Sequence, residues 1–200
     1  MQDLNRALAE IGAIRSQLAR GERFHGLGPS AFAATGVLAV LVAIGQAHWM
    51  RPPDVTGFLT LWIAVAAVSA AVIGLEMIDR SRRMHSQLAD EMIAAAVLQF
   101  LPAGGAGVLL TGVIWWFAPA ELWMAPGLWQ ITFGLGVFAS SRFLPPAMRL
   151  VGGWYVATGL ACIALAQGPH AFSPWAMGLP FGAGQMLVAA VLRFSETGDD

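Results

Sequence analysis

Charge is what this sequence has least of. Only 12% of its 200 residues are charged, whereas 57% are hydrophobic, and the mean hydropathy is +0.65. Soluble domains carry about 25% charged residues, so this chain could not keep a surface hydrated in water. The composition indicates a protein that is solvated by lipid. The sequence has no clustered basic face of the kind that a phosphate backbone attracts, so we expect no nucleic-acid partner.

Motifs for catalysis and metal binding are also lacking. Cys162 is the only cysteine, which excludes an intramolecular disulfide and a cysteine-based zinc site. The chain has no HExxH motif, no phosphate-binding P-loop and no dinucleotide fingerprint. Several His and Met residues fall near the ends of apolar runs, without the tight spacing of a ligand set: His48, Met50, Met124, His170 and Met177. The sequence therefore predicts a protein that is not an enzyme and holds no metal or cofactor.

Ionisable residues are missing from the middle of every apolar run. A charge at that depth costs about 2.5–3.5 kcal/mol on insertion scales, and proteins that keep one usually use it. This absence argues against proton antiporters, ion-coupled symporters and voltage sensors. Residues 1–24 also lack the short apolar core and cleavage site of a signal peptide, so we expect the first apolar run to stay as a membrane anchor.

What the sequence does contain is six apolar runs of the length that crosses a bilayer, about 20 residues each. They cover residues 30–49, 55–75, 93–117, 122–140, 148–167 and 175–192. The runs are continuous and not alternating, which is typical of helices and not of barrel strands. The predicted fold class is all-α, a polytopic membrane protein. We expect an amphipathic helix in 1–24, six transmembrane helices in 25–194 and a short acidic tail in 195–200.

The distribution of Arg along the chain predicts the orientation of the protein in the membrane. Every basic residue is Arg, and ten of the 11 precede the first run, follow the last, or separate runs two and three or runs four and five. Arg51 alone lies on the other side. Short loops rich in Arg remain in the cytoplasm. We therefore predict a multi-pass protein of the bacterial inner membrane with both termini in the cytoplasm and the lipid bilayer as its main partner.

Residues 76–91, the longest predicted cytoplasmic loop, have the pattern of a helix. Glu76 and Arg80 are four residues apart with the acid first, the order that stabilises a helix. We expect the second span to continue into this loop as a helical arm. Three apolar residues fall on one stripe of the arm: Met77, Met84 and Leu88.

A second apolar stripe follows residues 1–24, within about 120° of a helical wheel. Its members are Leu4, Ala7, Leu8, Ile11, Ile14 and Leu18. The stripe has two interpretations. In one, the helix lies against the membrane surface or the underside of the bundle. In the other, it is a docking helix that together with the arm forms a face for a cytoplasmic protein partner or for a second copy of the chain.

Two spans carry a Pro beside several Gly, Pro102 in LPAGGAG and Pro180 in LPFGAG. A Pro inside a helix removes one backbone hydrogen bond and bends the helix, and paired breaks of this kind are typical of transport sites. Three amides lie nearby in the sequence: Gln99, Gln130 and Gln185. They line a substrate path in one interpretation. In the other, they bond between helices or to the carbonyls that the prolines free.

Small residues form ridges at helical spacing, with Ala66, Ala70 and Gly74 on span two and Gly178 and Gly182 on span six. Such ridges predict close helix contacts, within one chain or between two copies. The repeat organisation has two interpretations. Matching Thr-Gly steps in spans one, three and five favour three tandem hairpins, whereas the Pro breaks in spans three and six favour two inverted halves.

Two functions follow from these patterns. The first is a non-enzymatic membrane anchor, sensor or accessory module that engages a cytoplasmic partner through the arm and residues 1–24. The second is a uniporter or channel for a small neutral or amphipathic solute, with its path beside Gln99, Pro102, Gln130, Pro180 and Gln185. A dry, fully packed bundle would favour the first function, and a continuous polar vestibule, a wet cavity that reaches Gln185, would favour the second.

Overall fold

The computed structural model describes residues 28–49, 54–84, 87–166 and 168–197. About 90% of the residues in these ranges are helical and none forms a strand, which confirms the all-α prediction. We label the six long helices in chain order: α1 Pro29–Trp49, α2 Val55–Met84, α3 Gln87–Phe117, α4 Ala125–Ser140, α5 Met148–Leu165 and α6 Trp175–Thr197. Two short 3₁₀ helices, Pro119–Met124 and Gly168–His170, precede α4 and α6.

The described residues contain six helical spans that are long and apolar enough to cross a membrane, and the fourth, Pro119–Ser140, combines the first 3₁₀ helix with α4. This confirms the prediction of six candidate spans in a multi-pass membrane protein. The predicted amphipathic helix in residues 1–24 lies outside the described residues, as does the end of the acidic tail. The orientation stays a prediction, so the two ends of the bundle are named here by residues, the Trp49 end and the Glu76 end.

Glycine pairs bring α4 and α5 into backbone contact. A Cβ atom on Gly127 would lie 2.7 Å from the carbonyl oxygen of Gly159, and one on Gly134 would lie 2.8 Å from that of Gly152. Both distances are too short for a side chain, so only glycine permits this approach. The two pairs, seven residues apart on each helix, hold α4 and α5 antiparallel along their length.

Glycine contacts also bring α1 close to α6. A Cβ on Gly36 would lie 3.0 Å from the carbonyl oxygen of Gly182, and one on Gly178 would collide with the side chain of Ala43. The Gly178–Gly182 ridge is thus used for packing within the chain. Together α1, α4, α5 and α6 form a four-helix unit, in which 33–39% of each apolar span is buried.

The α2–α3 hairpin lies at the edge of this unit. Only 17% of the apolar span of α2 and 6% of that of α3 is buried. Local signals explain where α2 begins, because the carboxylate of Asp54 accepts hydrogen bonds from the backbone N–H groups of Thr56 and Gly57, at 3.1 Å each. Both helices run past their apolar spans. α2 continues to Met84, and α3 begins at Gln87, seven residues (about 10 Å) before its apolar span starts at Ala94.

Candidate functional site: a cavity beside the α2–α3 hairpin

A cavity of about 1370 Å³ lies between α2 and α3, and residues of α1, α4 and α6 complete its wall. The side of α3 away from α2 packs against α4, to which it is bonded through Thr111 and Trp129. Its wall includes residues from Thr56 to Arg82 along α2 and from Ala94 to Trp115 along α3. At 1.5 Å per residue, the α2 part of the wall is about 39 Å long, which exceeds the hydrocarbon thickness of a bilayer, about 30 Å. The volume is larger than the roughly 300–1,000 Å³ of typical small-molecule sites.

The wall of the cavity is mostly apolar, and several of its hydroxyl groups are already engaged. Thr35 donates to the carbonyl of Phe32 at 2.9 Å, and Ser140 donates to the carbonyl of Ala96 at 3.0 Å. Thr111 donates to its own helix and accepts the indole N–H of Trp129 at 2.7 Å. These bonds leave the hydroxyls little capacity to replace the hydration shell of a polar solute.

Gln185 is the one predicted amide that belongs to the wall. Its side chain lies on α6 and is only 6% exposed. Its Oε1 atom is buried and has no hydrogen-bond partner among the described residues, and the same holds for Oε1 of Gln130. A buried acceptor without a partner loses about 1–3 kcal/mol.

Gln130, the second predicted amide, has a different environment. Its side chain is fully buried and does not line the cavity. Its Nε2 group donates to the carbonyl of Ala176 on α6 at 2.8 Å and to that of Pro126 at 3.2 Å. Ala176 lies four residues before Pro180, so its carbonyl is the one that the proline deprives of a helical N–H. The structure therefore brings Gln130 and the Pro180 break together through a bond between helices.

The other predicted path residues lie apart from Gln185. Gln99 is half-buried and Pro102 is exposed on α3, and neither lines the cavity, although Phe100 and Leu101 beside them do. Pro180 is also absent from the wall. Both α3 and α6 remain helical through their prolines. Of the five predicted path residues, Gln185 alone reaches the cavity.

Sequence reasoning assigned the Ala66, Ala70 and Gly74 ridge to helix packing, but in the structure these residues line the cavity. A Cβ atom on Gly74 would meet nothing within 4 Å, and the same holds for Gly112 on the opposite wall. A ridge of small residues gives the same sequence signal in both roles, since each role requires a surface without large side chains.

Two polar links tie α2 to α1, one on each side of the cavity. At the Trp49 end, the buried indole N–H of Trp62 donates to the side-chain oxygen of Gln46 at 3.0 Å. At the other end, the carboxylate of Glu76 accepts a bond from the hydroxyl of Ser30 at 2.8 Å and one from the backbone N–H of Ala31 at 2.9 Å. A carboxylate in this position also interacts favourably with the N-terminal dipole of α1.

The predicted arm and docking face are described only in part. Glu76 and Arg80 form the expected i,i+4 ion pair, with 3.6 Å between Nε and Oε1. Met77 is half-buried and lines the cavity. Met84 and Leu88 lie in α2 and α3, but their side chains are outside the description. The remaining residues of the predicted face are outside it altogether: Leu4, Leu8, Ile11, Ile14 and Leu18.

Metal ligands do not gather anywhere in the described ranges, where no group of three His, Cys, Asp or Glu residues could hold an ion. The cavity therefore offers shape, a mostly apolar surface and a few polar groups, which include Thr60, Ser69 and Gln185. No family model, no curated protein and no solved structure matches the chain.

Proposed function

We propose that the chain is a non-enzymatic membrane protein that takes a lipid-like, amphipathic molecule from the bilayer into the cavity beside α2 and α3, which gives that molecule a passage along the bundle. This is the second of the two functions predicted from the sequence. The observation that carries the proposal is the mostly apolar cavity, whose wall follows α2 for more than the thickness of the hydrocarbon layer.

The chemistry of the wall favours a lipid-like molecule over a hydrated one. A polar solute would lose its hydration shell in the mostly apolar cavity and find few groups to replace it. Thr35, Thr111 and Ser140 already bond within the protein, which leaves a few hydroxyls such as those of Thr60 and Ser69. An apolar chain makes no hydrogen bonds with water that the wall would have to replace. A chain that enters from lipid gains no hydrophobic free energy, so it is held by close packing against the wall.

The position of the hairpin provides the way in. Very little of α2 and α3 is buried in the bundle, and such weakly packed elements open at the lowest cost in free energy. The links from Trp62 to Gln46 and from Glu76 to Ser30 hold α2 to α1 on either side of the cavity. Entry between α2 and α3 from the bilayer requires a movement of α2 only, while α3 stays bonded to α4 and the four-helix unit stays closed by its glycine contacts.

Equilibrium binding to the full chain in lipid nanodiscs tests this proposal, with tritiated hexadecanol and tritiated palmitic acid as probes. We expect saturable binding of at least one probe above the level of empty nanodiscs. Gly112→Phe directs a ring into the open space of the cavity and should remove most of that binding.

Gly105→Phe is the matched control. Gly105 lies on the same helix, a Cβ there also meets nothing within 4 Å, and the residue is not part of the wall. The control should bind the probes as the parent chain does. The proposal fails if neither probe binds saturably, or if Gly112→Phe binds both as well as Gly105→Phe does.

A second candidate function is supported by the length of α2 and α3. Both helices continue past their apolar spans at the Glu76 end, where the sequence predicts a cytoplasmic arm. A polar helical hairpin on that side is suited to engage a cytoplasmic protein, so the chain would be an anchor or sensor. The test is deletion of residues 1–24 followed by affinity purification, and unchanged co-purifying proteins would count against this function.

The proposed location is the bacterial inner membrane with both termini in the cytoplasm, and the support for it is the distribution of Arg. Fusion of a reporter that is active only in the periplasm to either terminus tests it. We expect both fusions to be inactive, and an active fusion would contradict the orientation.

A further inference from the structure

We propose that the molecule held in the cavity is an anionic lipid, whose head group binds the guanidinium group of Arg82 while its chains lie along the apolar part of the wall. The inference rests on the proposed function and deepens it, because it names the class of molecule that the cavity takes. It also assigns the residue that selects the head group.

The first observation is the position of Arg82 in the wall. Gly74, Ile78 and Arg82 follow one another at intervals of four residues, so they lie on the same face of α2, and all three line the cavity. Arg82 is the only charged residue of the wall among the residues that the structure describes. This face of α2 therefore changes from an apolar surface to a single cation at its last turn.

The second observation is the depth of Arg82. The apolar span of α2 ends at Arg80, so Arg82 lies about 3 Å of helix beyond the end of the span. With α2 across the membrane, this is the level of the lipid head groups, and the wall between Leu59 and Ile78 lies at the level of the lipid chains. A lipid oriented as in the adjacent leaflet would thus place its head group at Arg82 and its chains along the wall.

The third observation is the charge that Arg82 leaves uncompensated. Arg82 is exposed and forms no ion pair with any residue of the described ranges. The nearby carboxylate of Glu76 accepts the hydroxyl of Ser30 and pairs with Arg80. Asp79, one turn before Arg82, has an interaction with another group. The guanidinium of Arg82 remains available for an anion, and its planar N–H groups match a phosphate or carboxylate.

The combination of charge and apolar wall favours a lipid over a free anion. A soluble anion would meet one exposed Arg in water, where such a pair contributes little, and it would gain nothing from the wall. A zwitterionic lipid brings an ammonium group that Arg82 repels, and a neutral lipid leaves the cation without a partner. The sequence predicts that this end of the bundle faces the cytoplasm, where the leaflet is anionic and attracts Arg.

The experiment places the full chain in nanodiscs of equal parts dioleoyl phosphatidylglycerol and dioleoyl phosphatidylcholine, which share their chains and differ in net charge. Native mass spectrometry counts the lipid molecules that stay on the released protein. We expect phosphatidylglycerol to be enriched about fivefold over the membrane, the usual effect of one Arg near a membrane surface. Arg82→Gln should still retain lipid but lose this enrichment, and Arg82→Lys, which keeps the charge, should retain most of it.

Two controls accompany these variants. Arg142 is also exposed and lies at the same end of the bundle, just after α4, but it is not part of the wall. Arg142→Gln removes the same charge from that end and should keep the enrichment. A phosphatidylglycerol with a diazirine in its head group needs no substitution, and on irradiation it should label residues 78–84 of α2.

The outcomes separate the inference from the proposed function. Absence of enrichment in the parent chain, enrichment that survives Arg82→Gln, or label outside α2 overturns the inference and leaves a lipid-binding cavity in place. An equal loss in Arg142→Gln overturns it as well, because the charge of the whole end would then select the lipid. If Gly112→Phe retains as much lipid as Gly105→Phe, the proposed function itself fails.

Discussion

Gln130 on α4 supplies the hydrogen bond that Pro180 removes from α6. Its Nε2 group donates at 2.8 Å to the carbonyl of Ala176, which would accept the backbone N–H of residue 180 if that residue were not proline. A side chain from a neighbouring helix thus replaces a bond within a helix. In lipid such replacement is necessary, because no water is present to satisfy the carbonyl.

This relationship predicts a measurable coupling between the two residues. Gln130→Leu should destabilise the chain by about 1 kcal/mol, since it leaves the Ala176 carbonyl without a donor. Pro180→Ala restores the backbone N–H, so the same Gln130→Leu change should cost less in that background. A double-mutant cycle of unfolding in SDS measures the difference, and strictly additive effects would contradict the assignment.

The glycine contact between α4 and α5 predicts a position-specific loss of stability. A Cβ on Gly159 would lie 2.6 Å from the Gly127 carbonyl oxygen, so Gly159→Ala must push the helices apart, at a cost of about 1–3 kcal/mol. Gly153→Ala is the control on the same helix, where a Cβ meets nothing within 4 Å. The control should be neutral or stabilising by up to about 1 kcal/mol, because alanine favours a helix.

Thermal unfolding of both glycine variants in the same detergent decides this prediction. A lower melting temperature for Gly159→Ala alone is expected. Equal effects of the two substitutions would show that the α4–α5 contact is looser than the structure indicates.

The carboxylate of Glu76 caps the start of α1 and links α2 to it. Glu76→Ala should therefore destabilise the N-terminal turn of α1 by about 0.5–2 kcal/mol, the usual cost of a lost helix cap. Hydrogen exchange measures this as faster exchange of the Ala31 amide, whose N–H bonds to Glu76 at 2.9 Å. The far end of α1 should exchange as before.

Glu121→Ala is the comparison for Glu76. Glu121 is exposed, and its side chain accepts the indole N–H of Trp123, two residues away. Its removal should change stability by less than about 0.5 kcal/mol and leave the exchange of Ala31 unaffected. Unchanged exchange at Ala31 in Glu76→Ala would refute the capping role.

The path residues show how far sequence reasoning extends. It singled out Gln130 and Gln185 as amides near Pro breaks and left two interpretations open for each. The structure distinguishes the two residues, because Gln130 is fully buried and donates to α6 whereas Gln185 belongs to the cavity wall, although Oε1 of each lacks a partner among the described residues. The two residues differ in the rotation of their helices and in their neighbours, and neither property is encoded in the local sequence.

The small-residue ridges show the same limit. Gly178 and Gly182 pack against α1, whereas Ala66, Ala70 and Gly74 face open space. A ridge without large side chains admits either a neighbouring helix or a ligand. The choice depends on where the other five helices lie.

The sequence by itself determined the number and the position of the spans. Each span depends on a local property, about 20 apolar residues whose backbone groups are satisfied within one helix, and the six helices of the structure lie where those runs are. Only the tertiary structure decided that α2 is linked to α1 and α3 packs against α4, with a cavity between α2 and α3 beside Gln185. That arrangement follows from backbone contacts such as Gly127 with Gly159, which are made between residues far apart in the chain and are therefore invisible to any local pattern.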